Sequence, residues 1–235
     1  MTEAHLLIAT AASIAFLHAI LGPDHYLPFT AMGKARGWSL RRTLTITFYC
    51  GLGHVLSSVV IGAVGILIGA QLASLVSIES VRGEFAGWAL IAFGLVYFAW
   101  GIKRAGRGHR HSHVHSHGEL VHAHEHDHDG DHVHVHAGHA KGAITPWALF
   151  IIFVLGPCEA LIPLFMYPAA QQNAALVIAV ASVFGIVTLA TMLAAVAATT
   201  LGIDRLRLPS PGRYAHAAAG GAIVLCGSAI SFLGL

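Results

Sequence analysis

The chain has 235 residues, of which 56% are hydrophobic and 10% are charged, and its mean hydropathy is +0.70. Because soluble domains carry about 25% charged residues, this composition excludes a soluble globular protein and predicts an integral membrane protein. The formal net charge of +2 gives no sign of nucleic-acid binding, and we expect no nucleic-acid partner.

Apolar runs of about 20 residues predict six membrane-spanning helices and an all-α fold. The predicted spans are 5–32, 43–69, 84–103, 146–167, 174–202 and 215–235. With three spans in each half, the second half enters the membrane in the opposite orientation, as in inverted repeats. The predicted divisions are a first three-helix repeat, a central loop and a second three-helix repeat, at 1–103, 104–145 and 146–235.

The first and fourth spans contain matching breaks. Gly22-Pro23 interrupts the first span and Gly156-Pro157 the fourth, and an acid follows each pair, Asp24 and Glu159. Proline inside a helix removes a backbone hydrogen bond, so both spans should be broken helices. Broken membrane helices that each carry an acid predict a transporter whose site lies where the two breaks meet.

Several ionisable side chains fall within the predicted spans of the first half. Such groups are costly at bilayer depth unless they line a wet cavity or have partners. Unwinding at the first Gly-Pro break should let Asp24, His25 and His18 converge. A carboxylate with imidazoles suits Ni²⁺, Co²⁺ or Zn²⁺ better than Mg²⁺ or Ca²⁺. The predicted metal ligands are His18, Asp24, His25, His54 and, from the other repeat, Glu159.

Each of these residues also has a structural interpretation. His54 alone would serve as a hydrogen-bonding histidine between helices. Asp24 and Glu159 each follow a proline and would cap the helix that restarts there. Cys158, between Pro157 and Glu159, reads as a small packing residue rather than a ligand.

The basic residues predict the orientation of the chain. Lysines and arginines concentrate between spans 1 and 2, 3 and 4, and 5 and 6, whereas Arg82 alone falls on the other side. By the positive-inside rule those three loops are cytoplasmic and both termini face outward, in the inner membrane of a prokaryote. The first span lacks the basic region that opens a signal peptide, so we expect it to be permanent.

The central loop is rich in histidine, at His109, His111, His113, His115, His117, His122, His124, His126, His128, His132, His134, His136 and His139. So few large apolar groups predict disorder without a ligand. Neutral imidazoles bind borderline transition-metal ions, which predicts a metal-gathering loop. The alternative is a solvated polar linker.

The three cysteines, Cys50, Cys158 and Cys226, are widely spaced and form no Cys-x-x-Cys pair. They indicate neither a disulfide framework nor a thiolate metal site. We also find no nucleotide-binding motif, and we expect neither an enzyme nor a prosthetic group.

Two segments carry a resemblance to a known family. His18-Ala-Ile-Leu-Gly-Pro-Asp24-His25 resembles the His-x4-Asp-His signature of nickel/cobalt permeases, with five residues here between His18 and Asp24. Gly53-His54-Val-Leu-Ser57-Ser58 resembles the Gly-His-Ser segment of the same proteins. More broadly, the chain resembles NicO/RcnA-type nickel and cobalt transporters and UreH-like membrane proteins, which implies a LysE-like six-span fold and divalent nickel or cobalt as the substrate.

These observations together predict a secondary transporter for Ni²⁺ or Co²⁺, with Zn²⁺ as a further substrate. Its ligands bind metal only when deprotonated, which predicts coupling to protons. The expected partners are the lipid bilayer, the metal ions and a cytoplasmic metallochaperone of a urease or hydrogenase. The direction of transport stays open between export and uptake, with uptake slightly favoured.

Two other classes of protein also fit parts of the sequence. A membrane thiol-disulfide carrier of the DsbD/CcdA type has six spans in inverted repeats and a Pro-Cys element, which Pro157-Cys158 matches. That chemistry needs a second cysteine, and Asp24 occupies the corresponding position. An exporter of small anions or amino acids with the same fold would need an arginine or lysine within the membrane, and the predicted spans hold none outside their flanks.

Overall fold

The structure, a computed structural model, describes residues 2–106, 111–117, 120–126, 144–205 and 212–233. The elements in chain order are α1 (Glu3–Leu21), a 3-10 turn (Pro23–His25), α2 (Leu27–Ala35), α3 (Leu40–Leu67), α4 (Leu72–Gly106), β1 (His111–His117), β2 (Leu120–His126), α5 (Ile144–Leu155), α6 (Leu161–Ala170), α7 (Ala174–Arg205), a second 3-10 turn (Gly212–Tyr214) and α8 (Ala215–Leu233). The protein is therefore a helical integral membrane protein with one short hairpin.

Five helical segments of the described chain are long and apolar enough to cross a membrane. They are Glu3–Leu21, Leu40–Leu67, Leu72–Gly106, Ala174–Arg205 and Gly212–Leu233. The predicted span 146–167 consists instead of the two short helices α5 and α6 with an irregular segment between them. The prediction of a helical membrane protein is confirmed, whereas the count of six full spans is not, because Gly156-Pro157 divides the fourth into pieces too short to cross alone.

The break in the first predicted span has a clear local cause. Gly22 is extended, with φ −80° and ψ 101°, and its N–H still donates to the carbonyl of His18 at the end of α1. Its own carbonyl accepts from the N–H of His25. This is the first hydrogen bond of the 3-10 turn Pro23–His25. A Cβ on Gly22 would lie 2.5 Å from the Nδ1 of His25, so only glycine fits where the chain folds back on the histidine.

Helices α4 and α8 form a close pair through small residues. Gly101 lies against the backbone of Ala217, and Gly220 lies against the backbone of Phe98. Membrane helices gain little from apolar burial against each other, so close backbone approach at small residues stabilises their contact. The two helices therefore pack closely at these glycines.

The buried apolar residues form two separate cores. The Phe29 core contains Phe29, Met32, Cys50, Tyr97, Phe153, Ile223 and Cys226, among others. The Phe184 core contains Ala11, Ala15, Cys158, Leu161, Ile162, Val180 and Phe184, among others. The rings of His54 and Phe153 contact each other on one side, and those of His18 and Phe184 on the other, each with centroids 6.3 Å apart. The histidines of the first half therefore lie where the two cores meet.

The histidine-rich loop contains a hairpin for which the sequence predicted no fixed structure. Strands β1 and β2 pair antiparallel, with His111 opposite His126 and His117 opposite Leu120. The other loop histidines lie outside the described residues, namely His109, His128, His132, His134, His136 and His139. The prediction that this loop gathers metal stays a prediction.

Candidate functional site

Three histidines from different elements converge inside the bundle. His18 comes from the last turn of α1, His25 from the 3-10 turn and His54 from the middle of α3. The ring centroids of His18 and His25 are 4.7 Å apart, those of His25 and His54 5.2 Å, and those of His18 and His54 6.0 Å. One possible ligand atom from each lies within 4.8 Å of the others. We call these three residues the histidine cluster.

Two members of the cluster have a nitrogen with no partner. His25 is 3% exposed and His54 is 2% exposed, and neither Nε2 atom has a hydrogen-bond partner within the described part of the chain. A buried polar atom without a partner costs free energy comparable to a lost hydrogen bond. Both nitrogens therefore have a capacity to bind something that the protein itself does not supply.

The opposite ring nitrogens of these two histidines are engaged. The Nδ1 of His54 lies 3.3 Å from the carbonyl oxygen of Phe153, and the Nδ1 of His25 lies 3.2 Å from that of Gly22. Because a carbonyl oxygen only accepts, each Nδ1 must carry the hydrogen and donate it. Each Nε2 then presents a free lone pair in the neutral imidazole.

Asp24 supports the cluster from behind His25. Its Oδ1 lies 3.2 Å from the Nδ1 of His25, and its side chain is 27% exposed. The carboxylate therefore contacts the nitrogen that already carries the hydrogen, on the side of the ring away from the free Nε2. It holds the ring of His25 in its orientation.

The second Gly-Pro break brings a thiol to the same place. Cys158 lies between α5 and α6 and is fully buried. Its Sγ is 3.8 Å from the Nε2 of His18, so the thiol and the imidazole meet across the two halves of the chain. The sequence predicted Cys158 as a packing residue, and the match of Pro157-Cys158 to the Pro-Cys element of thiol carriers was the signal that pointed to a reactive thiol.

A buried acid fixes the backbone of this break. Glu79 of α4 is fully buried, and its Oε2 accepts from the N–H of Cys158 at 2.9 Å and from the hydroxyl of Ser58 at 2.9 Å. Irregular backbone at membrane depth is tolerated only where its polar groups find partners. Glu79 is such a partner, and it ties α4 and α3 to the segment that carries Cys158.

Arg82 completes this arrangement one turn further along α4. It forms an ion pair with Glu79 and donates to the hydroxyl of Ser57 at 2.7 Å. It also donates to the carbonyls of Val154 at 2.7 Å and Gly156 at 3.3 Å. These carbonyls lie at the C-terminal end of α5, where the helix offers no further backbone N–H groups to them. Both terminal nitrogens of the guanidinium are therefore used within the protein.

Glu79 and Arg82 lie outside the third span predicted from the sequence, which begins at residue 84, and they were therefore not predicted as site residues. The structure begins α4 at Leu72, so both residues lie inside a helix that is long enough to cross the membrane. Asp24 and Glu159 are thus not the only acids of the spans, and an arginine does lie within them. Residues 72–78 just before Glu79 contain five apolar residues and two serines, and this segment is the signal that would have extended the span.

Glu159 does not join the histidine cluster. It is exposed, and its Oε1 lies 3.7 Å from where a Cβ on Gly83 of α4 would be. Neighbouring residues of an irregular segment point in different directions, and here Cys158 faces the cluster while Glu159 faces away from it. The structure therefore brings together His18, His25 and His54, with Asp24 beside them, and leaves Glu159 apart.

Comparison with known proteins identifies the family of the chain. Residues 27–229 match the family described as the cytochrome C biogenesis protein transmembrane region, and the chain belongs to that family. No curated protein and no solved structure matches it.

This membership corrects two predictions made from the sequence. The assignment to the NicO/RcnA-type nickel and cobalt transporters was wrong, and so was the function of nickel or cobalt transport that depended on it. The resemblance rested on two short motifs, and the residues of the first, His18, Asp24 and His25, all precede the matched range. A short histidine-and-acid motif in a broken helix thus does not identify the family. The family is shown by the match over most of the remaining chain.

Proposed function

We propose that this protein is a membrane thiol-disulfide carrier of cytochrome c biogenesis, with Cys158 as its reactive thiol. The observation that carries the proposal is the 3.8 Å approach of the Cys158 Sγ to the Nε2 of His18 at a helix break, in a chain of this family. The proposal adopts the thiol carrier that the sequence left as an alternative to a transporter.

Cys158 is the best suited of the three cysteines because of its surroundings. All three are free and buried. Cys50 and Cys226 lie in the Phe29 core among apolar side chains, where a thiolate has no stabilising partner. Cys158 has an imidazole within reach of its hydrogen, and a nearby histidine activates a thiol by accepting its proton.

The exchange step follows from this pair. The S–H of Cys158 gives its proton to His18, and the thiolate attacks a disulfide of an oxidised partner protein, forming a mixed disulfide and releasing one partner thiolate, which takes the proton back. A dithiol donor protein then attacks the mixed disulfide from the same side of the membrane. Because the donor and the partner each bring two cysteines, this exchange needs only one cysteine of the chain. The donor ends as a disulfide, the partner as two thiols, and Cys158 as a thiol again.

The burial of Cys158 requires the protein to open for this exchange. We propose that α1 to α4 and α5 to α8 contain two inverted repeats, in which the break at Gly22-Pro23 corresponds to the break at Gly156-Pro157. Rocking of one repeat against the other, with these breaks as hinges, would expose the thiol at one side of the membrane, where both soluble proteins reach it. The soluble dithiol proteins would replace the metallochaperone that the sequence analysis expected.

We further propose an inner-membrane location with both termini outside. At one end of the bundle Lys34 pairs with Asp204, and Arg36 lies over the ring of Tyr97, whose hydroxyl bonds to His216. The basic residues of three connections therefore gather at one end, which the positive-inside rule assigns to the cytoplasm together with the histidine-rich loop.

The test compares three single variants in a strain that lacks the native gene. Cys158→Ser should abolish the mixed disulfide that non-reducing electrophoresis detects and should lower the level of haem-bound cytochrome c. Cys50→Ser and Cys226→Ser are the matched controls and should keep both. A chain without any cysteine that still restores the full cytochrome level would refute the proposal.

A further inference from the structure

We infer that the histidine cluster and Cys158 form a binding site for one transition-metal ion that prefers tetrahedral coordination, such as Zn²⁺. The ligands are the Nε2 atoms of His25 and His54, the Nε2 of His18 and the Sγ of Cys158. The bound ion occupies the Cys158 Sγ and the His18 Nε2, so it must leave before these two residues take part in disulfide exchange. The inference does not depend on disulfide exchange at Cys158.

The first argument is the state of the two buried imidazoles. Histidines that bind a metal commonly donate their other ring hydrogen to a backbone carbonyl or a carboxylate, which fixes the ring and the tautomer. His54 donates from Nδ1 to the carbonyl of Phe153, and the Nδ1 of His25 lies between the carbonyl of Gly22 and the carboxylate of Asp24. Both rings thus have this second set of contacts, with their Nε2 atoms buried and without a hydrogen-bond partner among the described residues.

The second argument is that both Gly-Pro breaks are shaped around these rings. A Cβ on Gly22 would lie 2.5 Å from the Nδ1 of His25, and a Cβ on Gly156 would lie 3.2 Å from the Nδ1 of His54. In each half of the chain, therefore, a glycine lets the backbone approach the rear of a histidine ring. This geometry positions both rings from behind and leaves their front nitrogens to the cluster.

The third argument is the position of the thiol. Ligand distances of about 2.0–2.1 Å for nitrogen and 2.3 Å for sulfur, at a tetrahedral angle, place a nitrogen and a sulfur about 3.6 Å apart. The Sγ of Cys158 and the Nε2 of His18 are 3.8 Å apart. The two atoms thus have the separation of two ligands of one ion. One ring nitrogen of each histidine lies within 4.8 Å of the others, and binding would draw these nitrogens together to about 3.4 Å.

The fourth argument is the charge. A divalent ion bound by three neutral imidazoles and one thiolate carries +1, and the carboxylate of Asp24 next to His25 balances it. Glu79 is already paired with Arg82 and adds no net charge. A site with no net charge is the form that a low-dielectric interior stabilises.

The experiment uses Co²⁺ as the probe, because it takes zinc sites and its bond to a thiolate gives a near-ultraviolet charge-transfer absorption. The histidine-rich loop, residues 108–141, contains no cysteine, so metal bound there cannot give this signal. The purified full-length protein in detergent should develop the thiolate absorption, and its limiting intensity should correspond to one Co²⁺–thiolate bond per chain, whatever amount of Co²⁺ the loop also binds. Cys158→Ser should lose the absorption, and Cys50→Ser should keep it.

A second pair of variants tests the imidazoles. His54→Ala should weaken Co²⁺ binding at the thiolate site at least tenfold, because it removes one of four ligands. His216→Ala is the matched control: this histidine is also in a membrane helix, but its Nδ1 bonds to the Tyr97 hydroxyl outside the cluster, and its loss should leave the site unchanged.

Two results would overturn the inference. One is the absence of a thiolate absorption in the wild-type protein with Co²⁺ in excess, a result that needs no variant to fold. The other is an absorption of equal strength in Cys158→Ser. Neither result bears on disulfide exchange, which the electrophoretic assay measures separately.

Discussion

Replacing Glu79 by glutamine removes the charge that neutralises Arg82 within the membrane region. The side chain of Glu79 is fully buried and that of Arg82 is 14% exposed, so solvent cannot replace the lost partner. Removing one member of a buried ion pair costs about 3–5 kcal/mol. Arg82 keeps the Ser57 hydroxyl and the carbonyls of Val154 and Gly156, which places the expected loss near the lower limit, at about 3 kcal/mol.

The assay is unfolding of the purified protein in detergent, with Glu84→Gln as the matched control. Glu84 lies on the same helix and is exposed, so its substitution should change the free energy of unfolding by less than about 0.5 kcal/mol. The double variant of Glu79→Gln with Arg82→Gln should be more stable than Glu79→Gln alone, because it leaves no unpaired charge.

The same substitution should also loosen the segment that carries Cys158. Glu79 accepts the N–H of Cys158, and a glutamine at that position accepts it less strongly than a carboxylate. Maleimide should therefore modify Cys158 faster in Glu79→Gln than in the wild type. The role of Glu79 at the Gly156-Pro157 break is contradicted if Glu79→Gln has the same free energy of unfolding as Glu84→Gln and its Cys158 reacts with maleimide no faster than in the wild type.

Two further predictions concern glycines. Gly22→Ala should displace His25, because the new Cβ would lie 2.5 Å from the Nδ1 of that histidine. The substitution should therefore weaken Co²⁺ binding at the thiolate site, and unchanged binding would show that the position of the His25 ring does not depend on a glycine at residue 22. Gly101→Val should force α4 away from α8 and cost about 1–3 kcal/mol in detergent unfolding. Gly106→Val should cost less, because a Cβ there meets no described residue within 4 Å, and equal losses would contradict the close packing of α4 and α8.

The site shows why part of it could be predicted from the sequence. His18, Asp24 and His25 are near each other along the chain, and a Gly-Pro pair predicts unwinding whatever surrounds it, because proline lacks the N–H that a helix needs. Their convergence therefore followed from local chemistry. His54 was identified because a histidine is rare within an apolar span and needs a reason to be there.

The sequence did not predict how the second break meets the first half. Cys158 and Glu159 are neighbours, and the cysteine reaches the histidine cluster while the acid lies beside α4. The backbone of an irregular segment decides which of two adjacent side chains points inward, and that backbone is fixed by Glu79 and Arg82 from a distant helix. A short motif cannot contain this information.

The sequence by itself therefore determined that the chain is a helical membrane protein and where its broken helices lie, and it predicted that histidines approach each other at the first break. Composition and local backbone chemistry suffice for these properties. Only the tertiary structure decided that the Cys158 thiol lies 3.8 Å from His18, and that Glu79 is buried and paired with Arg82. These depend on contacts between residues far apart in the chain, which exist only once the helices have packed.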